Sequence, residues 1–90
     1  MVELHAIFKG KVQGVGFRWT VQEHAERLSL GGLVANLSDG TVEVYAVGDK
    51  SILQQFLQAV QEEPGFAEIR GVVSFYSEST NVYEGFQIIH

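Results

Sequence analysis

The sequence predicts an α+β sandwich in which two helices cover one face of an antiparallel sheet. Segments in which apolar and polar residues alternate are interrupted by two segments whose apolar residues recur with helical periodicity. An Asp-Gly pair at Asp39 and Gly40, between two strand-like segments, also marks a hairpin in the middle of the chain. Two helices of this length can cover only one face of such a sheet.

The first half of the chain predicts a strand followed by a helix. In residues 2–10, VELHAIFKG, apolar residues alternate with others, and the glycine-rich sequence QGVGF ends this alternation. The helix that follows carries Val21, Ala25 and Leu28 on one face. We expect it to begin at the capping box formed by Thr20 and Glu23, or as early as Arg18, and to end at the glycines of residues 31–32.

The second half predicts a hairpin, a helix and two further strands. The hairpin strands are residues 33–37 and 41–47, joined by residues 38–40. Asp49 is the expected N-cap of a helix that ends at Glu62-Glu63-Pro64-Gly65. This helix carries one apolar stripe, formed by Ile52, Leu53, Phe56, Leu57 and Val60. Residues 68–79 form a fourth strand, residues 79–85 a loop and residues 86–90 a short last strand.

The order β-α-β-β-α-β with a short extra strand is that of the split β-α-β, ferredoxin-like architecture. In this topology the third strand lies beside the first, and the strand of residues 33–37 lies at the edge of the sheet, where it is the segment most prone to pairing with another chain. The face of the sheet that the helices do not cover is expected to be largely exposed.

The composition indicates one soluble globular domain that spans residues 1–90. The chain is 46% hydrophobic and 19% charged, which suffices for one small core. It contains no cysteine, which excludes disulfides, thiolate catalysis and thiolate-bound metals. No apolar run approaches the roughly 20 residues of a membrane span, and the N-terminus does not resemble a signal peptide. We therefore expect a cytoplasmic protein and, for so small a fold, a monomer.

Positive charge is concentrated at the start of a chain that is acidic as a whole. The formal net charge is −5, which disfavours nonspecific binding of nucleic acids. Residues 1–18 nevertheless hold three basic residues, Lys9, Lys11 and Arg18, and only one acidic residue, Glu3. This distribution indicates a compact site for an anion.

The turn between the first strand and the first helix has the components of a small phosphate site. Gly14 and Gly16 can adopt positive φ, which lets successive N–H groups point inward and leaves room for a ligand. The helix start adds unpaired N–H groups, and Arg18 can donate two parallel hydrogen bonds to a phosphate. The sequence lacks the Gly-Lys-Ser/Thr of Walker A, and Trp19 stands where the dinucleotide fingerprint needs its third glycine. From these residues alone, a phosphate site and a plain turn both remain open.

Two segments carry a resemblance to a known family. Residues 10–18, GKVQGVGFR, resemble the acylphosphatase signature G-x-V-Q-G-V-x-F-R at every defined position. Residues 32–44, GLVANLSDGTVEV, resemble the second signature of that family and keep Val34, Asn36, Gly40 and Val42. The resemblance covers nearly the whole chain, because family members share its length and the predicted order of elements.

The resemblance implies hydrolysis of the carboxyl–phosphate bond of acyl phosphates to carboxylate and inorganic phosphate, without a metal or cofactor. In the family the loop amides and the arginine hold the phosphate, and the asparagine, here Asn36, orients the attacking water. Acyl phosphates are already activated, so positioning and charge stabilisation suffice, which fits a loop without His, Asp or Glu. The resemblance thus assigns phosphate binding to Gln13, Gly14, Val15, Gly16, Phe17 and Arg18.

Three positions depart from the usual family pattern. Leu33 stands in place of an aromatic residue, which should weaken packing near Asn36. Ala35 replaces a basic residue and removes one surface charge, and Phe8 replaces an aliphatic residue in the predicted core. None of these changes removes a group with a catalytic role, so we expect activity to be shifted and not lost.

The histidines could suggest a metal site and the aromatic residues could suggest RNA binding, but the sequence favours neither. His5, His24 and His90 lack ligands at metal-binding spacings, with His5 and His24 expected on polar faces. Trp19 is expected in the core or packed against a helix, in preference to stacking on a substrate. The aromatic residues Phe75, Tyr76, Tyr83 and Phe86 suggest stacking on RNA, but acidic neighbours on the first and third strands disfavour it.

The alternative function is a noncatalytic domain of the same fold, which would bind phosphate or carbamoyl phosphate or contact a protein partner. The presence of both Arg18 and Asn36 favours the enzyme. The expected ligand is a small acyl phosphate, with neither a nucleic acid nor a membrane as partner.

Overall fold

The computed structural model describes residues 1–89, and the predicted last strand therefore extends by one residue, His90, outside the described part. Each predicted helix and strand is present, with bounds close to those expected. In chain order the elements are β1 (Val2–Lys11), α1 (Phe17–Arg27), β2 (Gly31–Asn36), β3 (Val42–Gly48), α2 (Lys50–Glu62), β4 (Glu68–Glu78) and β5 (Phe86–Ile89).

The five strands form one mixed sheet in the order β4-β1-β3-β2-β5. As predicted, β1 lies beside β3 and the pairs β1–β3, β1–β4 and β2–β3 are antiparallel. The short last strand is present, but the predicted edge position of residues 33–37 and the wholly antiparallel sheet are wrong, because β5 runs parallel to β2 and covers that edge. The loop of residues 79–85 makes this possible by carrying the chain from one edge of the sheet to the other.

One face of the sheet packs against both helices and forms the core. Phe8 of β1 and Phe17 of α1 are both buried, and their rings meet edge to face with centroids 5.3 Å apart. The loop between β1 and α1 is thereby anchored in the core near both of its ends. The other fully buried side chains include Leu4, Val21, Val34, Val42, Val44, Leu53, Phe56 and Val60.

The opposite face of the sheet is open, as predicted. The His5 imidazole stacks on the ring of Tyr45, with centroids 4.3 Å apart, and its Nε2 lies 2.8 Å from Oε2 of Glu43. Burial, and then the charges of nearby carboxylates, raise the pKa of the Tyr45 phenol above its ordinary value. Phe75 remains 61% exposed beside this group. Aromatic rings next to carboxylates do not favour a polyanion, and the expected lack of RNA binding stays a prediction.

The limits of α1 differ from those predicted. The helix begins at Phe17 with Gly16 as its N-cap, so Thr20 lies inside the helix and its hydroxyl lies 3.4 Å from the Gly16 carbonyl oxygen. The predicted capping box is therefore wrong, whereas the alternative start at Arg18 lies one residue from the observed one, in keeping with the burial of Phe17. The helix ends before Ser29, whose φ of 55° is left-handed, and the glycines that we expected to end it belong to β2.

Two side chains of α1 occupy unexpected environments. His24 is buried, not on the polar face, and its Nε2 donates to the carbonyl oxygen of Glu63 at 2.8 Å, which joins α1 to the end of α2. Trp19 is 72% exposed, not packed in the core. Because Val21 and Ala25 define the buried face of α1, position 19 points away from the sheet.

Candidate active site

Residues 12–16 join β1 to α1 as the predicted glycine-rich turn. Gly14 and Gly16 have φ angles of 75° and 76°, in the left-handed region. A methyl group added at either position would meet no described atom within 4 Å, so backbone conformation and not space favours glycine there. Val12 and Phe17 are buried, Val15 packs against the core and both glycines are exposed. The turn therefore presents its backbone to solvent between buried anchors.

Gln13 ties this loop to the β2–β3 hairpin. Its side-chain amide donates to the carbonyl oxygens of Leu37 and Thr41, both at 2.8 Å. The same two residues close the hairpin, since the N–H of Leu37 donates to the carbonyl of Thr41 at 2.9 Å. The Gln13 side chain thus holds the loop in place against the end of the hairpin.

Replacing Gln13 by leucine is expected to lower the free energy of unfolding by about 1–3 kcal/mol, because two hydrogen bonds of about 0.5–1.5 kcal/mol each are lost. Chemical denaturation measures this change. The matched control is Gln58→Leu on the exposed face of α2, which should change stability by about 0.5 kcal/mol or less. Equal stabilities of the two variants would contradict the role assigned to Gln13.

Arg18 lies in the first turn of α1, directly after the loop, and is held against the end of β5. Its Nη1 donates to the carbonyl oxygen of Ile89 at 3.1 Å. Ile89 pairs with Ala35 of β2, the residue before Asn36. The fifth strand therefore positions the guanidinium next to the end of β2.

Asn36 is exposed and is the last residue of β2. The residue before it pairs with the residue whose carbonyl oxygen Arg18 binds. The residue after it, Leu37, accepts a hydrogen bond from Gln13. The structure thus brings the loop, Arg18 and Asn36 together at one end of the sheet.

The turn that follows Asn36 is held by its own side chains. The carboxylate of Asp39 accepts hydrogen bonds from the Thr41 hydroxyl at 2.6 Å and from the Thr41 N–H at 3.0 Å. These two bonds lower the pKa of Asp39 below its ordinary value. Gly40 has a φ of 89°, which confirms the Asp-Gly turn that the sequence predicts. The turn thereby supports the end of the strand from which Asn36 projects.

Residues 8–22 contain no His, Asp or Glu, so the loop itself supplies no general acid or base. Within residues 1–89, no three His, Cys, Asp or Glu side chains are grouped so that they could hold a metal ion. In the same part of the chain, no helix has the length and apolar character that crossing a membrane requires. The groups that the candidate site offers are main-chain N–H groups of the loop, the Arg18 guanidinium and the Asn36 carboxamide.

The family model described as acylphosphatase matches residues 4–88. The chain belongs to the acylphosphatase family. It is 42% identical to an acylphosphatase from Archaeoglobus fulgidus over 90 residues, the full length of both chains. Its fold is similar to the crystal structure of acylphosphatase from Bacillus subtilis, with a TM-score of 0.94, 37% identity and complete coverage of both chains. These similarities confirm the predicted family, the ferredoxin-like fold class and hydrolysis as an acylphosphatase.

A similar fold also occurs inside a larger protein. The crystal structure of full-length HypF in its phosphate- and nucleotide-bound form contains a region that matches all of this chain with a TM-score of 0.86 and 28% identity. The match covers 12% of that chain. Acylphosphatase-like domains are therefore found both as chains of this length and as parts of longer proteins.

The departures from the family pattern lie outside the loop itself. Leu33 and Ala35 are half-buried in β2, where they pair with Tyr45 and Glu43 of β3. Phe8 fills the core against Phe17, at the start of the helix that carries Arg18. None of the three replaces a group that we assign to the site.

Sequence reasoning missed two contributions to the site. It assigned Gln13 to phosphate binding and overlooked its side-chain bonds to the hairpin, and it gave the last strand no part in the site. The bond from Arg18 to Ile89 involves a main-chain carbonyl, which every residue carries, so no residue type could have revealed it.

Proposed function

We propose that the loop of residues 13–18 holds the phosphate of an acyl phosphate and that Asn36 orients the water that attacks phosphorus. The chain is an acylphosphatase by family, and these residue roles are our assignment within it. The convergence of the loop, Arg18 and Asn36 at one end of the sheet is the observation that carries the assignment.

Phosphate binding uses the main chain and one side chain. Exposed glycines with positive φ let consecutive N–H groups face one point, and the start of α1 adds its unpaired N–H groups. Gln13 contributes through its main-chain N–H, since its side chain is bonded to the hairpin. The planar guanidinium of Arg18 donates two parallel hydrogen bonds to phosphate oxygens. Together these donors offset much of the negative charge of the phosphate through one full positive charge and several N–H dipoles.

The water attacks phosphorus opposite the leaving carboxylate. The Asn36 carboxamide oxygen accepts a hydrogen bond from the water, and its NH2 donates to a phosphate oxygen. A bond forms between the water oxygen and phosphorus while the bond from phosphorus to the acyl oxygen breaks, and the carboxylate leaves with that electron pair. The water proton passes to a phosphate oxygen, so the loose transition state needs charge stabilisation more than a protein base.

Hydrolysis of benzoyl phosphate in ¹⁸O-labelled water tests this mechanism. We expect one labelled oxygen in the inorganic phosphate and none in the benzoate, with a rate that EDTA does not change. Label in the benzoate would show attack at the carbonyl carbon and overturn the role given to Asn36. A rate abolished by EDTA and restored by a divalent cation would overturn the metal-free step.

We also propose that residues 1–90 act as one domain, as a monomer and in the cytoplasm. One continuous core, to which both helices and all five strands of the single sheet contribute, supports a single domain. The strand that forms the edge of the sheet beside β2 is β5, which is only four residues long, and such short edge strands pair poorly with another chain, which supports a monomer.

The similarity to part of HypF favours a second candidate, a noncatalytic domain that binds phosphate or carbamoyl phosphate or contacts a protein. The two candidates differ in whether the protein hydrolyses acyl phosphates. Binding of inorganic phosphate with no release of phosphate from benzoyl phosphate or acetyl phosphate would support the second candidate.

A further inference from the structure

An exposed tryptophan lies directly beside the candidate site. Trp19 follows Arg18 in the first turn of α1 and is 72% exposed, which is unusual for the only tryptophan of a small protein. It lines a surface groove of about 270 Å³, together with Thr20, Gln22, Glu23 and Glu26. The groove reaches the loop at Thr20, whose hydroxyl lies 3.4 Å from the Gly16 carbonyl oxygen.

A second exposed aromatic residue lies near the same helical turn. Phe66 is 90% exposed and follows Gly65, in the segment between α2 and β4. The backbone of Gly65 lies against Thr20, since a methyl group added to this glycine would be 2.8 Å from the Thr20 hydroxyl oxygen. Trp19 precedes Thr20 and Phe66 follows Gly65, so the two aromatic residues are sequence neighbours of two residues that contact each other. We call Trp19 and Phe66 the aromatic rim.

The proposed reaction requires the acyl group to leave on the side of phosphorus opposite the attacking water. Asn36 belongs to the sheet layer, at the end of β2. Trp19 of the aromatic rim belongs to the helix layer, on the side of α1 that faces away from the sheet, and Phe66 follows the glycine that contacts Thr20 of the same helix. With phosphate in the loop and water at Asn36, the acyl group therefore extends toward the aromatic rim.

We propose that Trp19 and Phe66 bind the acyl group and give the enzyme a preference for acyl phosphates with an uncharged aromatic acyl group. This inference rests on the proposed function and names its substrate class. An indole face offers a large apolar surface to a ring with little loss of conformational entropy. Glu23 and Glu26 in the same groove disfavour acyl groups that carry a second carboxylate.

A comparison of two substrates tests the role of the aromatic rim. Values of kcat/KM are measured with benzoyl phosphate and acetyl phosphate for the wild type, Trp19→Ala and Phe66→Ala. We expect Trp19→Ala to lower the benzoyl-to-acetyl ratio by about threefold to tenfold, mainly through KM, and Phe66→Ala to lower it in the same direction. The Ki of inorganic phosphate should stay unchanged in both variants, because the loop is intact.

The matched control is Phe75→Ala, which removes an exposed aromatic ring from the open face of the sheet, away from the loop. Its substrate ratio should equal that of the wild type. An unchanged ratio in both Trp19→Ala and Phe66→Ala overturns the inference, as does an equal loss for both substrates. A wild-type protein that hydrolyses neither substrate contradicts the proposed function instead, so the two failures are distinguishable.

Discussion

Replacing Arg18 by alanine is expected to lower kcat/KM for acyl phosphates by about 10²- to 10⁴-fold. A bidentate contact between guanidinium and phosphate comprises two charge-assisted hydrogen bonds, each of about 1.5–3 kcal/mol. The affinity for inorganic phosphate, measured by titration calorimetry, should fall in parallel, because the ground state and the transition state both use this contact. Arg18→Lys should recover only part of the loss, since it restores the charge without the planar fork.

Arg27→Ala is the matched control for Arg18→Ala. Arg27 is an exposed arginine at the other end of the same helix, with Nη2 3.7 Å from a carboxylate oxygen of Glu23. Its removal should leave kcat/KM within about twofold of the wild type, because an exposed ion pair contributes little. Circular dichroism of both variants verifies that they fold. Hydrolysis at the wild-type rate by a folded Arg18→Ala protein would refute the phosphate site.

The second large effect is expected for Asn36→Ala, which should lower kcat by about 10²- to 10³-fold. The reason is that Asn36 positions the water and contacts a phosphate oxygen as charge develops, whereas the loop and Arg18 hold the phosphate. The Ki of inorganic phosphate should therefore change by only about threefold or less. Steady-state kinetics with phosphate as a competitive inhibitor measures both quantities on one preparation.

Asn81→Ala serves as the control for this variant. Asn81 is an exposed asparagine in the loop before β5, and its side-chain nitrogen lies 3.2 Å from the Glu3 carboxylate on another part of the surface. We expect its kcat to equal that of the wild type. If Asn36→Ala weakened phosphate binding as strongly as it lowered kcat, Asn36 would act mainly by binding phosphate in the ground state and its assignment to the water would be wrong.

Most of the fold could be predicted from local sequence patterns. Alternation in β1 and the apolar stripe of α2 reflect which side chains face the core, and both patterns repeat within a few residues. The Asp39-Gly40 turn is specified by its own residues, since the carboxylate of Asp39 bonds to Thr41 and Gly40 takes positive φ. The glycine-rich loop could also be predicted, because the left-handed φ angles at Gly14 and Gly16 favour glycine.

The arrangement of the site depended on contacts between distant residues. The parallel position of β5, and with it the contact from Ile89 to Arg18, joins residues 71 positions apart through a carbonyl group that every residue carries. The burial of His24 and the exposure of Trp19 likewise depended on which face of α1 packs against the core. Helical periodicity did not decide whether residues near the edge of that face are buried or exposed.

The sequence by itself determined the order of elements and the loop, and it supplied the two side chains to which we assign roles, because these properties belong to short segments. Only the tertiary structure decided that Gln13 anchors the loop to the hairpin and that β5 positions the guanidinium beside Asn36. The physical reason is that hydrogen bonds to main-chain oxygens and packing across the core select partners by position in space, which the chain acquires when it folds.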